Sequence, residues 1–211
     1  MSTKRDFYVF AGPNGSGKSS LVAKFLDDKP HLNYYCADNI SKEPAFQALE
    51  DENQRNYQAM KETEARVYAA MENGMAVAYE TVLSSDYKWP ILDKARTLGY
   101  QITAVFVTTR DPQINLARVQ RRVLAGGHPV PPQKTLARYE KSMQRLGRLL
   151  TYAVDAMVFD NSVDNADAAL VLYKHKNEIL INRDCKWVVL RMKAWRETTP
   201  EESADYQFRF L

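Results

Sequence analysis

The residues best suited to chemistry stand near the start of the chain: Gly12-Pro13-Asn14-Gly15-Ser16-Gly17-Lys18-Ser19. Glycine, four residues, then Gly-Lys-Ser is the Walker A pattern. The apolar run Phe7-Tyr8-Val9-Phe10-Ala11 precedes it and a helical pattern from Ser20 to Leu26 follows, the strand–loop–helix setting the motif requires. Its chemistry is phosphate binding. Glycines let backbone N–H groups turn inward on an anion, and the helix that begins here adds unpaired N–H groups and a positive dipole end. Lys18 is expected to reach the outer phosphates of ATP, and Ser19 to give its hydroxyl to Mg2+. Gly12, Pro13, Asn14, Gly15, Ser16, Gly17, Lys18, Ser19 and Ser20 form the expected nucleotide-binding set.

A phosphate loop leaves open what receives the phosphate. In open α/β sheets the other participants sit at the C-terminal ends of neighbouring strands, and three polar positions read that way. Asp38 follows Asn33-Tyr34-Tyr35-Cys36-Ala37. It can accept the proton of an attacking hydroxyl, and, beside Asn39 and Ser41, it also suits a helix cap or turn. Glu80 and Thr81 end the run Met75–Tyr79. Glu80 can bind an acceptor hydroxyl, hold Mg2+ through water, or cap the next helix. Asp160-Asn161-Ser162 can line the adenine side or make a plain turn. Tyr79 reads as core or pocket wall, and Cys36 as a buried, inert thiol.

Arginines supply the second signal. Arg118, Arg121 and Arg122 fall at helical spacing on one face, with Leu116, Val119 and Val123 on the other. A planar guanidinium binds phosphate bidentately and keeps its charge, so Arg118 and Arg122 are candidates for neutralising a transferred phosphoryl group. The loop Gly126-Gly127-His128-Pro129-Val130-Pro131-Pro132 after them can hinge a lid, with His128 as a structural lid residue rather than a base. Arg138, Lys141, Arg145 and Arg148 make a further basic stripe; for Arg145 and Arg148 the simpler reading is a solvated face.

Positioning these groups requires strands near 6–11, 33–37, 75–79, 101–107 and 153–159, with helices near 18–27, 43–73, 86–98, 112–124 and 132–150. Their alternation implies a mainly parallel sheet covered on both faces. Beyond residue 165, 169–173 and 178–181 read as a β-hairpin around Lys174–Asn177, Trp187 to Trp195 as a last helix, and the remainder as a polar tail relieved by Tyr206–Phe210. The 211 residues suit one domain with a small appendage, and 45% hydrophobic and 26% charged residues are ordinary for a globular protein. A net charge of +3 demands neither nucleic acid nor membrane. No apolar run reaches a membrane span and no signal-peptide core follows Met1. Two cysteines, Cys36 and Cys185, and three scattered histidines indicate neither a disulfide framework nor zinc. The expected location is the cytoplasm.

In order along the chain, Ala11–Ser19, Ala37-Asp38, Glu80-Thr81-Val82-Leu83-Ser84, Arg118 through Gly126-Gly127-His128-Pro129-Val130-Pro131, Arg138-Tyr139 and Asp160-Asn161-Ser162 resemble the zeta toxin family of P-loop kinases in its short, stand-alone form. The resemblance covers about residues 6–195; the Gly-Gly-His lid block and the Glu-Thr strand end are its specific parts. It implies a P-loop kinase-like three-layer α/β sandwich, a single domain over 1–195 with a lid about 118–140, and a tail over 196–211. It also implies ATP and Mg2+, transfer to a hydroxyl of a nucleotide sugar such as UDP-N-acetylglucosamine, and a small antitoxin protein as partner. Lys18 and Ser19 carry over as phosphate and metal residues, Asp38 as the base, Glu80 as a substrate-binding acid, and Arg122 and then Arg118 as lid arginines. Thr81, His128 and Arg138 join the substrate side and Asn161 the nucleotide side. The chain lacks the extra C-terminal material of the longer toxins. Two other readings stay open: a kinase of a nucleic-acid end or another metabolite, and a non-enzymatic ATP-binding switch.

Overall fold

The computed structural model describes residues 5–127, 129–182, 185, 187–188, 190 and 206–210. Strand β1 (Asp6–Ala11) leads through the glycine-rich loop into α1 (Lys18–Asp27). β2 (Asn33–Tyr35), the short helices α2 (Ala37–Ile40) and α3 (Pro44–Gln47), and the long α4 (Glu52–Glu72) follow. Then come β3 (Val77–Thr81), α5 (Trp89–Thr97), β4 (Gln101–Thr108), α6 (Pro112–Leu124), α7 (Pro132–Gln144), α8 (Leu146–Tyr152) and β5 (Asp155–Asp160). β6 (Ala169–His175), β7 (Glu178–Ile181) and β8 (Gln207–Phe210) complete the sheet, whose order is β2-β3-β1-β4-β5-β6-β7-β8. The first five strands are parallel; β6 is antiparallel to both β5 and β7, the expected hairpin, and β8 runs parallel to β7.

Strict alternation sorts the strands onto two faces. Phe7, Val9, Ala11, Val77, Tyr79, Ile102, Ala104, Phe106, Ala156 and Val158 pack beneath α4, α5, α7 and α8. Phe10, Ala78 and Val105 face the other way, against Val22 and Phe25 of α1. The result is the P-loop kinase-like α/β sandwich, with a mainly parallel sheet between two helical layers.

Several boundaries differ from the sequence reading, each for a local reason. Residues 43–73 are two helices: Pro44 starts α3, and Asp51 caps a new start by accepting the Asn53 N–H at 2.9 Å. Residues 132–150 also divide. Arg145 donates its guanidinium to Lys141 O at 3.0 Å, the carbonyl its own N–H would need, and that N–H turns to Ser142 O at 3.2 Å. β2 stops at Tyr35, so Asp38 lies in the first turn of α2 rather than on a strand end. β3 runs two residues later than expected and takes in Glu80 and Thr81. Three helices close as expected at glycines: Gly74, Gly99 and Gly126 adopt positive φ, with the paired backbone bonds of the Schellman motif. The sequence reading of Trp187–Trp195 as a helix is met at Trp187, Val188 and Leu190; its remainder, most of the tail and His128 lie outside the described residues.

Candidate functional site

The glycine-rich loop follows the central strand β1, where chain connections change direction across the sheet, the crevice in which such folds bind ligands. Its glycines are required by close approach. A Cβ on Gly12 (φ 140°) would lie 2.0 Å from Val107 O, and one on Gly17 (φ 89°) 2.2 Å from Asn161 Nδ2. Ser16 Oγ is buried without a hydrogen-bond partner, an orphan that a phosphate oxygen would satisfy. Lys18 is buried and donates to Pro13 O at 3.1 Å, bent back over the loop. Burial pushes its ammonium pKa down, while the charges of Glu80 and Asp38 oppose that shift. Ser20 stands exposed at the start of α1.

Both Glu80 carboxylate oxygens lie 3.4 Å from Ser19 Oγ. Tyr34 OH donates to Glu80 Oε2 at 2.5 Å. Hydroxyl and carboxylate are hard oxygen donors and fit Mg2+. Among the described residues no three His, Cys, Asp or Glu side chains gather as a metal site, so an ion at Ser19 would complete its shell with phosphate and water oxygens, as Mg2+ does. Glu80 caps no helix: the turn at Asp86 and then α5 begin further on. Thr81 faces the opposite side of the sheet, packed away from Glu80, and its hydroxyl accepts the Leu83 N–H at 3.2 Å. Asp38 stands exposed, and its side chain caps nothing, the cap position of α2 being Cys36. Its charge acts on both Lys18 and Arg138. Cys36 is buried, and burial together with Glu80 pushes its thiol pKa up, as suits an inert thiol.

The arginines separate into two groups. Arg122 acts on Lys18, and its stem packs on the lid turn: a Cβ on Gly127 would meet Arg122 Cγ at 2.6 Å. Arg138 is half-buried, reaching Asn14 Oδ1 at 3.4 Å, with its pKa lowered by burial against the pull of Asp38. Arg118 is held elsewhere, donating to Asp164 Oδ1 at 2.9 and 2.6 Å and to Asn161 O at 2.7 Å. Asn161 in turn donates to Ser16 O at 2.8 Å, so Arg118 braces the loop from the side. Arg145 pairs with Asp86 at 2.9 Å and Arg148 lies 4.6 Å over the Trp89 ring, which ties the second basic stripe to the start of α5.

Two participants escape sequence reading. Tyr34 looks like one more strand aromatic. Asn115 is fully buried in α6, accepting from Thr109 OH and donating to Asn14 O at 2.6 Å. A polar residue inside a helix carries no signal by itself; only its partners reveal it as a strut beneath the loop.

The family model described as an AAA domain matches residues 8–146. The chain belongs to the AAA domain family. Within this AAA domain the matched span holds the phosphate loop, Asp38, Glu80 and the lid arginines, and stops short of Asn161. No curated protein matches the sequence. Among solved structures, a chain of the AvrRxo1-ORF1:-ORF2 complex with ATP superposes with TM-score 0.68 at 11% identity, over 90% of this chain and 64% of that one. This AAA domain thus spans under two thirds of that relative's length. The PezAT chromosomal toxin–antitoxin system of Streptococcus pneumoniae gives 0.58 at 12%, over 80% and 71%. A putative kinase from Chloroflexus aurantiacus gives 0.53 at 12%, over 66% and 80%. At these identities the likeness is one of fold, and it is the fold that the zeta toxin resemblance implied.

Proposed function

We propose that this AAA domain is an ATP- and Mg2+-dependent kinase that transfers the γ-phosphoryl group to a hydroxyl of a small acceptor, a nucleotide sugar such as UDP-N-acetylglucosamine. The observation that carries the reading is the placement of Asp38. An exposed carboxylate without a capping duty stands within the electrostatic reach of the buried Lys18 and the half-buried Arg138. In this reading Asp38 accepts the proton as the acceptor oxygen bonds to the γ-phosphorus, and the bond to the bridging oxygen of ADP breaks. Lys18 and Arg122 meet the charge on the transferred group, Arg118 braces Asn161 beside the loop, and Arg138 belongs to the acceptor side, to which His128 is assigned as well; Thr81, turned to the opposite face, supports that side only through the Leu83 turn. Mg2+ held by Ser19 and, through water, by Glu80 would neutralise phosphate charge. Such catalysis is almost wholly positioning and electrostatics. The AvrRxo1-ORF1 structure is of a complex with ORF2, and PezAT is a toxin–antitoxin system; a small protein partner that blocks the nucleotide crevice is part of the proposal, as is a cytoplasmic location. No helix among the described residues is long and apolar enough to cross a membrane.

The test is transfer of labelled γ-phosphate from ATP·Mg2+ to a panel of nucleotide sugars, with Asp38→Ala as control. A labelled UDP-N-acetylglucosamine that vanishes in the variant supports both substrate and base. ATP bound and no acceptor labelled would overturn the kinase reading in favour of a switch. Labelled nucleic-acid ends or another metabolite would replace the acceptor alone.

A further inference from the structure

Tyr34 has no part in the reaction drawn above, yet its hydroxyl makes the shortest bond that Glu80 receives. The placement follows from strand geometry. Tyr34 sits opposite Ala78 in the parallel pairing of β2 with β3, and Ala78 and Glu80 share one face of β3 by alternation. The step from Ala78 to Glu80 is about 6.6 Å along the strand, close to the reach of a tyrosine from Cα to its oxygen. The ring therefore lies along the sheet beneath α1, packed against the cluster of Phe10, Val22 and Ala78, and delivers its hydroxyl to Glu80 Oε2. Tyr35, one residue later, packs on the other face against the larger core. Only one residue of β2 can do this.

We infer that Tyr34 is a positioning residue: it fixes the Glu80 carboxylate toward the Ser19 hydroxyl and so commits Glu80 to the cation side of the nucleotide site. A free glutamate at a strand end has several rotamers and would sample the acceptor pocket as readily as the nucleotide. One Glu80 oxygen occupied by a phenol, with both oxygens equidistant at 3.4 Å from Ser19 Oγ, leaves the carboxylate a single orientation. The bond is charge-assisted and part-buried, a setting in which one hydrogen bond counts for more than it does in water. The inference rests on the reading of Ser19 and Glu80 as the magnesium side of the site. It does not require the acceptor to be a sugar, or phosphate to be transferred at all.

The experiment is ADP binding by titration calorimetry on the full chain, with and without Mg2+, for wild type, Tyr34→Phe, Glu80→Gln and the double variant. Phe keeps the ring and its packing, and thermal unfolding of each variant checks that the fold is intact. Tyr34→Phe should lose about tenfold or more of the Mg2+-dependent gain in affinity, the worth of one hydrogen bond to a charged group, with metal-free ADP binding unchanged. Adding it to Glu80→Gln should cost nothing further, because it acts through that carboxylate. A full Mg2+ effect in Tyr34→Phe, or losses that add, would overturn the proposal. A Tyr34→Phe variant too unstable to titrate would overturn it too, by assigning the residue to the core. Failure of every acceptor to be phosphorylated would remove the kinase reading and leave this coupling standing.

Discussion

In the proposed reaction Lys18 and Asp38 divide the work at the residue scale, and their variants should differ in kind. Lys18→Ala removes the only buried cation of the phosphate loop; turnover should vanish and ATP affinity fall, measured by labelled transfer and calorimetry. Asp38→Ala should leave ATP affinity largely intact and lower kcat by more than about a hundredfold, the contribution of a positioned general base. Near-normal transfer by that variant would remove Asp38 from the mechanism. Gly12, Gly15 and Gly17 are legible in sequence because any Cβ there would meet backbone or Asn161 at 2.4 Å or less. The role of Glu80 was not. A strand-end glutamate can serve metal, acceptor or helix cap, and the hydroxyl that holds its carboxylate is that of Tyr34, some 46 residues away in sequence.

At the scale of elements, α6 carries the arginines proposed for a lid and also forms the floor of the phosphate loop. Asp111 caps it by accepting the Gln113 N–H at 2.8 Å, and Pro112 presets its first turn. Asn115 then ties it to Asn14, and Tyr139 of α7 reinforces the same corner by donating to Thr109 O at 2.5 Å. Asn115→Leu should keep the volume and strand the partners it satisfies, costing about 2 kcal/mol in urea unfolding and weakening ADP binding together. A variant with unchanged stability would show that the strut is dispensable. The basic stripe of α7 and α8 illustrates how spacing can mislead. Arg138 faces the site, while Arg145 is spent on Asp86 and Arg148 on Trp89, because the helix breaks at Arg145.

For the whole molecule, the sheet continues three strands past the parallel half, on the side of β5 away from β1. Lys174 on β6 is buried there, donating to Ala153 O at the end of α8. Burial pushes it down to about 8 from an ordinary 10.5. Between those values the unfolded chain binds more protons than the folded one, so this group makes stability rise with pH, with its cost fully present below 8. Wild type should therefore gain thermal stability relative to Lys174→Met on going from pH 8 to about pH 10; parallel curves would refute the assignment. Strand β8 seals the same end: Tyr206 OH reaches Leu150 O at 3.3 Å and Phe208 packs on the core. Deleting 206–211 should lower Tm by several degrees, as a loss of a few kcal/mol would, and leave ADP affinity untouched, since β1 and its loop lie toward the opposite side of the sheet. Altered nucleotide binding would mean that the two ends are coupled.

The amino-acid sequence by itself determined the phosphate loop, the order of parallel strands and helices, and the hairpin, because each is written in short-range terms. Glycine at positive φ, two-residue alternation, 3.6-residue periodicity and the glycines that end helices all act within a few residues. It also brought Glu80 forward by its strand end, Asp38 by its place just after β2, and Arg118 and Arg122 by their helical spacing beside a glycine- and proline-rich loop. Tertiary structure alone decided what each of them touches. Arg118 is paired with Asp164, Arg145 with Asp86, and Glu80 with Tyr34 and Ser19. Those are contacts between segments 46 to 61 residues apart along the chain, chosen by the pairing order and twist of the sheet. A charged side chain carries no mark in sequence of whether it will meet a partner, a ligand or water; which one it meets is a property of the packed molecule.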